Sequence, residues 1–341
     1  NLSRCKCLYP WPAMGILESK RAKPYSWVKE AGDPTLNFHA FGTSCRVKLS
    51  AHEDWKRVEI GREVISWISH FEERYSRFLP NSWLSEVNRA SGIQPVPLEK
   101  EDHQILRAAS FSFFQSKRSI DPSCLPLTQL WQDAKSRNKV PDEAKIREAR
   151  DLVNWEKVEY SEDEIYLPNS GMGLDFGGFG KEFAVDQVSK ILKELDCKNY
   201  LIDFGGDIYA SGKATERSHW VVGIEVLGGG EKAVYFVNLI DQAIATSGNY
   251  RKFFDLDGKR YGHTLDHRTG YPTIFSDLSA SVISPSCLKS GILSTTCLLQ
   301  GVEAGMRMLE SEWDAEGCIQ SLDSRCISNK FYRHVIHENY R

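Results

Sequence analysis

The run DFGGFGKEFAVDQVSKILKELDCKNYLIDFGGDIYASG, residues 175–212, constrains the fold more than any other stretch of the chain. A glycine loop opens directly onto an amphipathic helical pattern, KEFAVDQVSKILKELD (181–196). A buried strand, a tight glycine turn and a second strand then follow in NYLIDFGGDIYASG (199–212). Glycines let backbone N–H groups approach an anion closely, and the N-terminus of the following helix adds the positive end of its dipole. Lys181 adds a mobile positive charge. The loop is not a Walker A motif, because Glu182 stands where Ser or Thr would have to follow Gly180 and Lys181. No GxGxxG register fits either, so ATPase and hydride-transfer readings lose their main support. A tight turn packing a helix onto a sheet accounts for this stretch equally well when it is taken alone.

Elsewhere the patterns alternate between helix and strand. AFGTSCRVKLS (40–50) and LSASVISP (278–285) read as strands. HWVVGIEV (219–226) and AVYFVNLI (233–240) read as a hairpin. Within 54–78, Ile60, Val64, Ile68 and Phe71 recur at helical spacing. Segments 100–117 and 290–310 are also helical, and short helices are expected near 79–92 and 121–131. Helices interspersed with hairpins predict an α+β fold rather than a regular βαβ series. No linker divides the chain. The expected organisation is an N-terminal extension or arm over 1–36, one compact catalytic domain over 37–315, and a C-terminal strand or tail over 316–341.

A net charge of -3 gives no bulk attraction to nucleic acid or to an anionic membrane. No apolar run approaches 18 residues, so no membrane span is expected. The nine cysteines are scattered and contain no CxxC pair. That usage predicts neither a zinc site nor a disulfide framework. The cysteines and the lack of a visible leader point to the cytoplasm, with export or membrane anchoring as the alternative if a signal segment has been removed.

Three further turns lie within a hundred residues of the glycine loop: DFGGDIYASGK (203–213), AIATSGNYRKFF (243–254) and YGHTLDHRTGYP (261–272). Together the four suit a ligand with phosphates and several polar edges. With SRFLPNSWLSEVNRASG (76–92) and DPSCLPLTQLW (121–131), these segments resemble, in order, the motifs of the ApbE family, the FAD:protein FMN transferases. The similarity runs from about residue 38 to about residue 312. DFGGFGKEFAVD is similar to the family's D-[LF]-G-G-[IF]-[AG]-K-G-[YF]-[AV]-V-D, with Glu182 in place of the usual glycine.

The resemblance implies an ApbE-like (T-fold-like) α+β domain of mixed sheets flanked by helices, which binds FAD as substrate in a ligand cleft between two lobes. It implies transfer of FMN to a Ser or Thr hydroxyl of a target flavoprotein with release of AMP, normally with Mg2+. Backbone N–H groups at Gly177 and Gly178, with Lys181, would then hold the pyrophosphate. Gly206, Asp207, Thr246, Ser247 and Gly248 would complete the FAD site from the second and third turns. His263 would act near the reacting phosphate as base or hydrogen-bond partner, and Asp266 would orient it or hold the flavin end. For Asp175 and Asp186, ligand contact stands beside helix capping and an ion pair as the two readings. This chain has no segment like the family's acceptor motif D-G-x-[ST]-[GS]-A-T, so its partner would be a separate flavoprotein.

Two departures matter. Where the family has A-D-x-[LF]-[AS]-T, with Asp and Thr on one helical face for metal, this chain reads SGILST. Thr295 is present and the backbone carbonyl of Gly180 can still contribute, but the aspartate position is Gly291. His267 stands where the family usually has proline, as a new ligand or as part of a looser turn. Three readings stay open: transfer with the metal held by other groups, FAD or nucleotide binding without transfer, and a pocket rebuilt for another flavin reaction. Gly291→Asp is expected to strengthen magnesium dependence.

Overall fold

The computed structural model describes residues 23–227, 233–249, 253–256, 259–262, 264–273, 275 and 277–336. Its centre is a nine-stranded sheet. The strands run in the spatial order Tyr25–Glu30, Asp33–Ala40, Thr43–Leu49, Tyr200–Phe204, Asp207–Ser211, Gln242–Gly248, Ser279–Ser284, Glu316–Gln320 and Arg325–Ile327. The α+β class stands as expected, but the strand directions are not mixed. Every neighbouring pair in this sheet is antiparallel. Among the described residues the one parallel pairing is an isolated bridge between Cys124 and Gly173.

The domain limits drawn from sequence cut through this sheet. Residues 25–40, largely within the expected arm, form its first two strands. Pro34 and the aromatics interrupt the alternation there and hide the strand pattern. Glu316–Gln320 and Arg325–Ile327, within the segment expected as a C-terminal strand or tail, are strands at its far edge. Residues 1–22 and 337–341 lie outside the described residues.

Among the described residues seven α-helices accompany the sheet: α1 (Arg57–Tyr75), α2 (Trp83–Arg89), α3 (Asp102–Gln115), α4 (Leu125–Arg137), α5 (Glu143–Asp151), α6 (Gly180–Glu194) and α7 (Cys287–Ser311). Side chains alternate across each strand, and this separates two cores. Tyr200, Ile202, Phe204 and Tyr209 face Ile60, Val64, Ile68 and Phe71 of α1 together with Phe183, Val185 and Val188 of α6. Leu201, Ile208, Ala210 and Ile244 face the other way, onto the hairpin of Trp220–Glu225 and Ala233–Leu239. A third cluster packs Leu293, Cys297 and Leu298 of α7 on Ala280 and Val282. The described cysteines are all free thiols, and no described helix is long and apolar enough to cross a membrane.

Helix ends explain how the site is held. α2 begins at Ser82, whose Oγ accepts the Ser85 N–H at 3.0 Å. α7 begins at Ser286, whose Oγ accepts the Lys289 N–H at 3.2 Å. α7 also bends at Gly301, where φ is 80° and ψ 177°. α6 differs from both, because no side chain caps its N-terminus at Phe179. The Gly180 N–H donates to the Phe176 carbonyl at 2.7 Å, so it is the next N–H groups of the first turn, those of Lys181 and Glu182, that are left for another partner.

Candidate active site

The segment before α6 is braced from behind. Asp175 accepts the Gly177 N–H on Oδ1 at 2.9 Å and pairs through Oδ2 with Arg77 Nε, also at 2.9 Å. Its own N–H donates to the Pro122 carbonyl at 2.9 Å. Asp175 therefore serves as the brace of the glycine loop as well as a wall of the cleft. The turn between Tyr200–Phe204 and Asp207–Ser211 consists of Gly205 and Gly206, with φ of 66° and 96°. Two positive φ angles in a two-residue hairpin turn require glycine or a similarly permissive residue. Asp203 Oδ1 accepts the Gly206 N–H at 2.8 Å, and Arg46 holds the other oxygen of that carboxylate at 2.7 Å.

These elements surround a cleft of about 670 Å³. One wall carries Gly177, Gly178, Lys181 and Glu182, and the facing wall carries Gly206, Asp207, Thr246, Ser247 and Gly248. Thr295 reaches the same space from α7, and Thr264, Leu265 and His267 reach it from the last turn. The Ser247 hydroxyl lies 2.9 Å from Thr295 Oγ1 and 2.8 Å from Ser294 Oγ. The Thr246 hydroxyl lies 2.8 Å from that of Ser281. The hydroxyl groups are thus fixed on rigid elements before any ligand arrives. A space of this size, glycine-lined on two sides and opening onto an uncapped helix N-terminus, suits a ligand carrying an anionic group within a larger body.

Lys181 is engaged within the protein: its ammonium pairs with the buried Asp207 carboxylate and donates to the Phe204 carbonyl at 3.1 Å. Any anion it holds competes with, or shares it with, Asp207.

Three sequence-derived candidates do not line the cleft. Asp186 points to the start of α7, where its two oxygens accept the Cys287 and Leu288 N–H groups at 2.8 and 2.9 Å. Burial pushes this carboxyl up to about 6, against the pull of those hydrogen bonds. Asp186 therefore anchors α7, the helix that carries Thr295. Asp266 accepts from Arg268 Nε and Nη2 at 2.9 and 2.8 Å. Burial works to raise that carboxyl, but the Arg268 hydrogen bonds outweigh it and hold it below its usual range. Gly180 is the first residue of α6, and its role rests on its backbone alone. His263, the candidate base, lies outside the described residues.

Sequence reasoning missed other parts of the wall. Val222 to Glu225 of the hairpin and Ile120 to Pro122 close the cleft; the hairpin residues carry no chemical motif, and Asp121 and Pro122 open a matched motif to which sequence reasoning assigns no role. His267 Nδ1 accepts the Asp121 N–H at 3.1 Å. Burial holds this imidazole below its usual value despite the Asp121, Asp266 and Asp175 carboxylates. A neutral ring with its proton on Nε2 follows from that bond. Among the described residues no three His, Cys, Asp or Glu side chains form a group suited to a metal.

The sequence profile of the ApbE family matches residues 41–319. The chain is 29% identical over 285 residues to the FAD:protein FMN transferase of Treponema pallidum, a match spanning 79% of each chain. It is 27% identical over 278 residues to the enzyme of that name from Klebsiella pneumoniae, covering 81% of this chain and 85% of that one. Two crystal structures share its fold. The apo form of the flavinyl transferase ApbE of Pseudomonas stutzeri superposes with a TM-score of 0.78 at 24% identity, covering 89% of this chain and 96% of that one. The ApbE protein of Thermotoga maritima superposes with a TM-score of 0.80 at 22% identity, covering 92% and 100%. The ordered motifs, the antiparallel sheet with its flanking helices and the profile match together place this chain in the ApbE family.

Proposed function

We propose that this protein transfers FMN from FAD to a Ser or Thr hydroxyl of a separate flavoprotein, releasing AMP. The observation that carries the reading is the convergence of the uncapped N-terminus of α6, the Gly205–Gly206 turn and the Thr246–Gly248 strand end on one cleft. Relatives that bear the name of this activity support it.

In the reaction the hydroxyl oxygen attacks the phosphorus on the FMN side of the pyrophosphate. The bond to the bridging oxygen breaks, and AMP departs with that oxygen. The hydroxyl proton passes to a base, which we assign to His263 from the resemblance. Such a transfer needs positioning and charge neutralisation more than covalent help from the protein. The Gly178 N–H and the first turn of α6 bind the diphosphate, with Lys181 beside it; the Gly177 N–H, expected to join them, is held instead by Asp175. The hydroxyls of Thr246, Ser247 and Thr295 offer fixed polar contacts.

Magnesium belongs to this proposal as well. The Thr295 and Ser247 oxygens and a buried oxygen of Glu182 without a hydrogen-bond partner among the described residues make a donor set that fits a hard cation; the Gly180 carbonyl joins them only on the resemblance. When bound, Mg2+ neutralises charge building on the departing phosphate.

The test is intact mass of an acceptor domain carrying the target motif after incubation with the protein, FAD and Mg2+. The expected result is a mass gain equal to FMN, with AMP released. An unmodified acceptor, with FAD shown to be bound, would overturn transfer in favour of binding alone.

A further inference from the structure

Gly291 lies on α7 one turn before Thr295. A Cβ built on Gly291 would stand 2.5 Å from Glu182 Cγ and 3.0 Å from both Glu182 Cδ and Oε1. The side chain of Glu182, from the first turn of α6, thus fills the volume that a side chain at 291 would take. Its Oε2 is buried and has no hydrogen-bond partner among the described residues. The neighbouring cation does not neutralise it, because the Lys181 ammonium is paired with Asp207. The helix dipole at the start of α6 favours a carboxylate there, but a dipole supplies no partner atom for a buried oxygen. Glu182 and Thr295 both line the cleft, and residues one turn apart on α7 share a face.

We infer that Glu182 supplies the carboxylate of a divalent-cation site, with Thr295 and the substrate diphosphate as its other ligands. Mg2+ is commonly bound through one or two protein carboxylates plus substrate phosphates, with water completing the shell. One protein carboxylate is therefore enough. The inference rests on the proposed function for the identity of the diphosphate. Its structural content is that positions 182 and 291 share one volume, so the carboxylate can be delivered from α6 or from α7 but not from both. Gly291 is then the position that makes room, and its lack of a side chain leaves the charge of the site intact.

The experiment is Mn2+ titration of the full chain, read by electron paramagnetic resonance of free Mn2+, without FAD and with saturating FAD. Metal-free FAD affinity is measured separately by flavin fluorescence. Glu182→Gln, nearly isosteric, is expected to weaken Mn2+ binding by about tenfold or more, while metal-free FAD affinity holds or rises because a negative charge beside the diphosphate is removed. The exchange variant Glu182→Gly/Gly291→Asp is expected to hold Mn2+ close to the parent affinity, since it moves the carboxylate to the other helix. Mn2+ binding by Glu182→Gln as tight as the parent's overturns the inference, as does a parent protein that binds no Mn2+ in either state. A parent that binds no FAD overturns the proposed function instead, and the Mn2+ comparison without FAD still decides the role of Glu182.

Discussion

Arg77 and Asp175 form a buried ion pair, with Arg77 Nε 2.9 Å from Asp175 Oδ2, and the other oxygen of that carboxylate holds the Gly177 N–H. The pair therefore fixes the conformation of the loop that precedes α6. Removing one partner of a buried pair leaves an uncompensated charge, at a cost of about 3–5 kcal/mol. Arg77→Ala is expected to lower unfolding free energy by about that amount in urea titrations and to weaken FAD binding through a looser loop. Unchanged stability would mean that the pair is not a brace.

Lys181 is paired with Asp207, so the diphosphate role proposed for it requires the ammonium to be shared. Lys181→Ala is expected to weaken FAD affinity about 10- to 100-fold, the range of a hydrogen bond to a charged group. Asp207→Asn, which frees the ammonium, is expected to keep FAD affinity or improve it. Flavin fluorescence titration separates the two, and unchanged affinity in Lys181→Ala would remove the diphosphate role.

The expectation that Gly291→Asp by itself strengthens magnesium dependence changes because Glu182 occupies the same space. An added side chain there overpacks the α6–α7 contact, at a cost of about 1–3 kcal/mol. Gly291→Asp alone is expected to melt earlier, and the added change Glu182→Gly is expected to restore the melting temperature. A single variant as stable as the parent would show that the Glu182 side chain yields freely.

Asp186 gives a pH signature. Its folded carboxyl sits at about 6 against an ordinary 3.8, so the folded state binds its proton more tightly than the unfolded chain does. The stability it contributes is fully present below the unfolded value and is lost as pH rises through about 6. Asp186→Asn lacks this titration, so the stability difference between parent and variant is expected to move against the parent as pH rises from about 4 to about 6. Urea unfolding across that range checks the slope, and a pH-independent difference would contradict the burial of this group.

The two glycines of the Phe204–Asp207 turn should differ. A Cβ on Gly205 would meet Thr43 Oγ1 at 2.5 Å, whereas one on Gly206 meets nothing within 4 Å. Both positions have positive φ, so each alanine variant incurs backbone strain of about 1 kcal/mol. Gly205→Ala is expected to lose clearly more stability than Gly206→Ala by thermal denaturation, and equal losses would place the whole effect in the backbone.

Most of the chemistry-bearing positions are legible in the amino-acid order. The loop at 175–180, the Gly205–Gly206 turn and the Thr246–Gly248 segment announce themselves because glycine and small polar residues are needed where backbone must approach a ligand. The long helices are legible from the periodicity of residues such as Ile60, Val64 and Ile68, which are all fully buried. The first two strands are not, because Pro34 and the aromatics around it break the alternation; only pairing with Thr43–Leu49 makes that segment a strand. The role of Asp186 is equally open in sequence, since a carboxylate inside a helix reads alike whether it faces a ligand or the end of another helix.

The long helices, most of the central strands and the family follow from the order of residues alone, because local periodicity and ordered motifs are written in near neighbours. The same order shows that position 291 carries no carboxylate, but the meaning of that absence comes from packing. Positions 182 and 291 are more than a hundred residues apart in the chain, and nothing in either motif says that their side chains compete for one space. That contact is made where α6 packs against α7, and it is set by the close-packed interior as a whole.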